Sequence, residues 1–426
     1  MLASHRPSWC HDGMSGRSVI IPAELCHIMS APPRSLSPSA TPLACAAHQA
    51  QDGISPRRND GIDCLRGIAI LLVVIHHLAL RFPLTETSLA SVMPYRVLRM
   101  LNWGGIKGVT MFFVISGFLI TDHMIRRYGR PAALDWRAFS GRRAARILPC
   151  LLALIAICCT LGALHVPSFV PDHPGQSLGG AAFSALFMHL NVYEGRTGYL
   201  PAYWDVLWSL SVEEVFYLAF PLICLSLGRS RTALLICAAL LALAAPYFEW
   251  QLRDATEIWQ EKAYGPGMSA IATGVFAALV ARRTLHPRYR LAVTMAGSAG
   301  IAGMALYLLQ GGWCWSLFGL ATPLFFNTAI GLCVWAFARG WGAAYTGRHT
   351  RWLRRWGQDS YEIYLSHMFI VMPVVALTRL SGLDTGWAWL IYPPTLLAVF
   401  GLGRVISLGF SQPLDKRLRG WPGATP

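Results

Sequence analysis

The sequence predicts an all-α, polytopic integral membrane protein of about ten transmembrane helices with both termini in the cytoplasm. Three observations carry this. Of 426 residues, 54% are hydrophobic and only 13% charged, against about 25% charged in a soluble domain. Several apolar runs approach or exceed the roughly 18 residues that mark a membrane-spanning helix. The basic residues sit in short clusters between those runs, so the formal charge of +15 reads as topology signal rather than nucleic-acid binding.

In order along the chain, residues 1–58 are rich in Ser, Pro and Ala and lack a long apolar run. No signal-peptide pattern is present. The segment reads as disordered or as an over-extended start, with Met14 and Met29 as alternatives. The membrane domain is expected over 59–412, with helices at 61–82, 106–126, 147–165, 205–228, 231–248, 265–281, 291–310, 316–338, 359–379 and 388–410. A short basic tail, 413–426, carries Lys416, Arg417 and Arg419.

The apolar piece 181–190 is short for a span, and charge decides its placement. If it does not cross, one side collects Arg126, Arg127, Arg130, Arg137, Arg142, Arg143 and Arg146, then Arg229 and Arg231. The same side takes Arg282, Arg283, Arg288 and Arg290, and after them Arg339, Arg348, Arg351, Arg354 and Arg355. The other side holds only Arg96, Arg99, Arg196, Arg253 and Lys262. The positive-inside rule therefore makes 181–190 a re-entrant or interfacial element. The eleven cysteines show no metal-ligand spacing; most, such as Cys158, Cys159, Cys224 and Cys237, lie in apolar segments as small hydrophobes. No metal is expected.

Several polar constellations interrupt the apolar runs. Arg66 and His77 are eleven residues apart in the first helix, which puts them on one face about 16 Å apart along the axis. Buried ionisable residues in a membrane helix point to function; the alternative is an arginine snorkelling to the interface and a histidine bonding a neighbouring helix. A histidine suits general-base work, and an arginine fork suits phosphate. Glu213 and Glu214 sit in WDVLWSLSVEEVFYLAFPL, residues 204–222. A buried carboxylate needs a partner, for which His77 is available; otherwise both are solvated at the helix mouth. Arg143 and Arg146, in FSGRRAARILP, share a face at the membrane boundary and either bind a phosphorylated donor or only set topology. Ser360, Tyr364 and His367 form a polar stripe in SYEIYLSHMFI, for substrate contact or interhelical bonding. Phe112, Phe113, Ser116 and Gly117 mark the second helix. Ser116–Gly117 permits close helix approach, and nothing around Ser116 resembles a nucleophile elbow.

Taken in this order, these segments resemble acyltransferase family 3, the integral membrane O-acyltransferases that include the O-antigen and Nod-factor acetylases. The resemblance runs from about residue 60 to 410. It rests on Asp63, Leu65-Arg66-Gly67 and His77; on FFVISGFLIT, Phe112 to Thr121; and on Arg142, Arg143, Arg146 and Pro149. It continues with Trp208, Ser209, Leu210 and Glu213, and with Ser360, Tyr361, Tyr364, Leu365 and His367. Family members often carry an acid where this chain has Thr110. Many also carry a C-terminal extracytoplasmic hydrolase-like domain, so the chain resembles the stand-alone form.

The resemblance implies a multi-pass enzyme of the inner (plasma) membrane. It would move an acyl group, most simply acetyl, from acyl-CoA to a hydroxyl of a cell-surface or lipid-linked carbohydrate, with no permanently bound cofactor. Under it, His77 is the base, oriented or made more basic by Glu213 or another acid, while Arg66, Arg143 and Arg146 hold the CoA phosphates. Ser116, Trp208, Ser209, Tyr217, Ser360, Tyr364 and His367 are acceptor or structural polar contacts. The competing class is a transporter or flippase using the same buried Arg, His and Glu as a proton relay; no inverted repeat is visible to support it.

Overall fold

The computed structural model describes residues 58–281, 289–343 and 347–419. Most of the expected disordered segment, Arg282, Arg283 and Arg288, and the last residues of the tail lie outside them. Among the described residues there is no strand. Eight helices among the described residues are long and apolar enough to cross a membrane, or nine if the bent pair Ser360–Ser366 and Met368–Ser381 is one span. One of the eight, Arg290–Ala338, contains two helices lying side by side: Phe318 stacks on Phe325 at 4.7 Å, Tyr307 meets Phe326 at 4.5 Å, and Cys333 reaches the carbonyl of Gly297. As residue numbers fall along one helix of this hairpin they rise along the other, so the two run antiparallel.

The first helix, α1 (Asp60–Ala79), starts where Asn59 caps the free amides of Gly61 and Ile62, with Asp60 and Asp63 in the first turn favoured by the helix dipole. It is followed by α2 (Tyr95–Asn102), an amphipathic helix inside the expected loop, and by α3 (Gly105–Tyr128), which ends at Gly129 with φ of 70°. Next, α4 (Trp136–Ala163) begins well before the expected 147 because Asp135 accepts from the amides of Arg137 and Ala138 at 3.0 and 3.1 Å. Arg137, Arg142, Arg143 and Arg146 are therefore helical rather than in a loop. The short piece is α5 (Leu178–Leu186), nine residues long. It spans about 14 Å, less than half the hydrocarbon thickness of about 30 Å, and it is not among the candidate spans. α6 (Leu190–Thr197) and α7 (Ala202–Asp205) lead into α8 (Trp208–Leu227).

Beyond α8 come α9 (Arg231–Leu243), α10 (Ala245–Leu252), α11 (Glu257–Lys262) and α12 (Tyr264–Ala281). The antiparallel pair is α13 (Arg290–Phe318), broken at Gln310, and α14 (Thr322–Ala338). The loop expected at 339–355 contains the start of α15 (Arg351–Gln358). The ninth expected helix is broken at His367 into α16 (Ser360–Ser366) and α17 (Met368–Ser381), bent by 44°. The last expected helix is a composite: a 3-10 entry, α18 (Tyr392–Ile406), a π turn at Ser407–Ser411, and α19 (Gln412–Arg419). The basic tail thus starts as helix.

The core forms where α1 and α12 pack on α3. A Cβ on Gly274 would lie 1.9 Å from the carbonyl oxygen of Val114, and one on Gly117 would lie 2.0 Å from that of Ile271. The two glycines let α3 and α12 touch backbone to backbone, the close approach that Gly117 suggested.

Candidate active site

The polar interior is built by α1, α3, α4, α8 and α16. Arg66, His77, Arg143, Glu213 and Glu214 are each surrounded by protein yet keep some accessible surface, so they line an internal cleft rather than a sealed core.

At the Arg66 end, the guanidinium donates to Ser360 Oγ at 2.8 Å. Arg143 lies over the Tyr217 ring at 5.1 Å. Arg146 stands close enough to act electrostatically on both Arg66 and Arg143. Among the described residues, none of these three arginines is in an ion pair within 4.0 Å, although Asp63, Glu213 and Glu362 lie further off. Three guanidinium groups that repel one another in a low-dielectric interior favour an anion between them.

Beside them runs a chain of hydroxyls. Tyr217 donates to Glu213 Oε2 at 2.7 Å, and its oxygen lies 2.9 Å from Ser116 Oγ. Because the single Tyr217 proton goes to the carboxylate, Ser116 donates to Tyr217. Its proton is thus committed to a phenol, not to a base, which argues against Ser116 as a nucleophile. Glu213 is bonded within its own helix, one turn along, and does not hydrogen-bond His77; the expected orienting role of Glu213 on His77 finds no direct contact. Glu214 Oε1 is buried with no hydrogen-bond partner.

At the other end, His77 Nδ1 lies 2.8 Å from the carbonyl of Val73, and His367 Nδ1 lies 2.7 Å from that of Tyr364. A carbonyl only accepts, so each Nδ1 carries the proton and each Nε2 keeps its lone pair in the neutral ring. The two rings meet edge to face with centroids 4.9 Å apart. Tyr364 pairs with Ser209 through their hydroxyls at 2.7 Å and packs against Phe112. The stripe Ser360–Tyr364–His367 therefore faces inward over its whole length, one residue to Arg66, one to Ser209 and one to His77. Trp208 packs edge-on against Phe113 at 6.2 Å and serves the core. His76 is turned away, with Nδ1 at 2.6 Å from the carbonyl of Asn102.

Three polar groups escaped the sequence reading. Glu362 is buried and accepts from Ser411 Oγ at 2.6 Å; an acid in the apolar stretch SYEIYLSHMFI was the signal for it. Asp359, just before α16, accepts from Arg404 of α18 at 2.9 Å and from Ser407 of the π turn at 2.7 Å, tying the start of α16 to both. Lys262, 2% exposed, donates to Glu194 Oε2 at 2.9 Å and to Asp205, and stands over the Tyr199 ring. Nothing local marks that lysine as buried. Among the described residues no group of three or more His, Cys, Asp or Glu side chains could hold a metal ion.

Comparison with known proteins finds similar chains among O-acetyltransferases. The chain is 32% identical to the O-acetyltransferase OatA of Staphylococcus aureus (strain NCTC 8325 / PS 47) over 174 residues, 40% of this chain and 25% of that one. It is 28% identical to the putative peptidoglycan O-acetyltransferase YrhL of Bacillus subtilis (strain 168) over 194 residues, 43% of this chain and 27% of that one. It is 27% identical to the peptidoglycan O-acetyltransferase OatA of Listeria monocytogenes serovar 1/2a (strain ATCC BAA-679 / EGD-e) over 164 residues, 38% and 23% respectively. The chain spans about a quarter of the length of the curated relatives it matches. No solved structure matches it. The family described as "Acyltransferase domain", acyltransferase family 3, matches residues 59–410, and the chain belongs to it.

Proposed function

We propose that this protein is a membrane-bound O-acyltransferase that moves an acyl group, most simply acetyl, from acyl-CoA to a hydroxyl of a cell-surface or lipid-linked glycan. The observation that carries the reading is the two-ended polar interior. Three arginines without ion-pair partners stand at one end and two imidazoles with free lone pairs at the other. Acyl transfer to a hydroxyl needs both a base and positive charge for the phosphorylated donor. The names of the relatives, peptidoglycan O-acetyltransferases, favour a glycan acceptor.

In this reading Arg66, Arg143 and Arg146 hold the CoA phosphates as the co-substrate enters. His77 Nε2 removes the acceptor proton as the hydroxyl oxygen attacks the thioester carbonyl. The C–S bond breaks, and the proton passes to the departing thiolate. Glu213, through Tyr217, balances the arginine charge rather than orienting the base. Ser209, Tyr364 and Ser360 supply polar contacts along the cleft. The protein sits in the inner (plasma) membrane.

Counting the α13–α14 hairpin as two passes and the bent α16–α17 pair as one gives the ten passes of this reading; an even number puts both termini on one side, and the clustering of arginines makes that side the cytoplasm. Labelling single cysteines placed after Gln412 and near Val92 from each side of sealed vesicles checks this. Both labelling from the same side would sink it.

The activity is tested by CoA release and ester formation in purified protein supplied with acetyl-CoA and a peptidoglycan-derived oligosaccharide, comparing wild type with His77→Ala. The expected loss is about 10²–10⁴-fold. A wild type that consumes no acyl-CoA with any glycan overturns the enzyme reading and favours a proton-coupled transporter; equal activity in the variant removes His77 as the base.

A further inference from the structure

His367 carries an unusual combination of features. It is fully buried, at 0% exposure. Its Nδ1 proton is spent on the carbonyl of Tyr364, so its Nε2 is an acceptor. That Nε2 has no hydrogen-bond partner. A buried acceptor without a donor is a standing cost to the fold, and such an atom in a native structure calls for an explanation. The nearest ring is that of His77, 4.9 Å away between centroids. His77 is held by Val73 through its own Nδ1, with His76 and Arg81 as its other titratable or charged neighbours.

In the resting state both Nε2 atoms are lone pairs, and neither ring can satisfy the other. The relation changes when His77 takes a proton. Its Nε2 becomes an N–H donor, created in the ring beside the acceptor that lacks one. We propose that His367 is a positioning residue for the proton: its orphaned Nε2 receives a hydrogen bond from His77 in the protonated state and from no other group. The inference rests on the acyltransferase reading above and deepens it.

The proton balance is simple. The acceptor O–H bond breaks and its proton forms N–H on His77 Nε2. While the acyl C–O bond forms and the C–S bond breaks, that N–H is shared with His367 Nε2. The proton then passes to the thiolate, giving the free thiol of CoA, and both imidazoles end neutral. The break between α16 and α17 falls at His367, on the helix stripe that also reaches Arg66 and Ser209. The same element thus touches both ends of the cleft. An interaction made only after proton transfer is the kind that lowers the barrier without tightening substrate binding.

The test compares wild type, His77→Ala, His367→Phe, His367→Gln and the double variant His77→Ala/His367→Phe, as full-length purified protein with acetyl-CoA and a peptidoglycan-derived oligosaccharide. His367→Phe fills the site without an acceptor and is expected to lower kcat by about 10²-fold, the lower end of an acid–base contribution, with donor KM little changed. His367→Gln presents an amide oxygen and is expected to recover most of that loss. In the His77→Ala background, His367→Phe is expected to change nothing further, because a residue acting through His77 has no function without it. A packing role would instead give losses that multiply and a glutamine as poor as phenylalanine; either result overturns the proposal, as does wild-type kcat in His367→Phe. If His77→Ala retains wild-type activity, or wild type consumes no acyl-CoA, the parent reading fails and this one falls with it.

Discussion

Tyr217 sets the direction of a hydrogen-bond chain that no motif announces. Its one proton goes to Glu213 and its oxygen receives Ser116. Replacing Tyr217 with Phe keeps the ring under Arg143 but strands a buried carboxylate oxygen and a serine proton. The expected cost is about 1–3 kcal/mol for groups left unsatisfied in the interior, read as a lowered thermal midpoint of the purified protein. Ser116→Ala should cost less, since Tyr217 then keeps its bond to Glu213. At this scale the sequence was a good guide to which residues are polar and inward. Arg66 and His77 on one helical face, and Ser360, Tyr364 and His367 on another, follow from helix geometry alone. It was a poor guide to pairing. Glu213 was expected to meet His77, and instead bonds Tyr217 on its own helix. A neighbour one turn away needs no tertiary alignment to reach.

The elements differ from the sequence expectation mainly at their ends, for identifiable reasons. α4 starts early because Asp135 is a cap. That places Arg143 and Arg146 on a rigid helix pointing inward instead of in a topology loop. The ninth expected helix bends at His367, whose ring meets that of His77. The crossing of α3 and α12 gives a sharp prediction. Gly274→Val would push a branched side chain into a site where even a Cβ would lie 1.9 Å from Val114 oxygen. Separating two backbones in contact costs more than the 1–3 kcal/mol or so typical of overpacking a side-chain site. The variant is expected to fall out of the folded fraction on gel filtration. Gly401→Ala, where a Cβ would meet nothing within 4 Å, should run as wild type.

Across the whole molecule, the short helices between α4 and α8 are fastened by a buried cation. Lys262 joins α11 to α6 through Glu194 and to α7 through Asp205, and Asn191 accepts no side chain there but donates to the Lys262 carbonyl at 3.0 Å. Lys262→Met leaves Glu194, itself fully buried, without its counter-charge. The expected destabilisation is about 3–5 kcal/mol, measured by thermal unfolding in detergent, and Lys262→Met with Glu194→Leu should recover a large part of it. A single variant as stable as wild type would show the ion pair to be dispensable. This long-range tie holds α6 and α7, neither of which is long enough to cross the membrane by itself.

Composition, hydropathy and charge clustering determined that this chain is an all-helical membrane protein, because those properties are additive along the chain and need no knowledge of neighbours. Motif spacing determined the family, and helix periodicity determined which polar residues share a face. The tertiary structure alone decided that Lys262 is buried, that α13 and α14 fold back on each other, and that Glu213 answers to Tyr217. It also decided that His367 holds an unfilled acceptor beside His77. Burial and pairing depend on what another helix brings to the same place, and residues such as Glu194 and Lys262, or Ser209 and Tyr364, carry no mark in their own stretch of the partner they will meet.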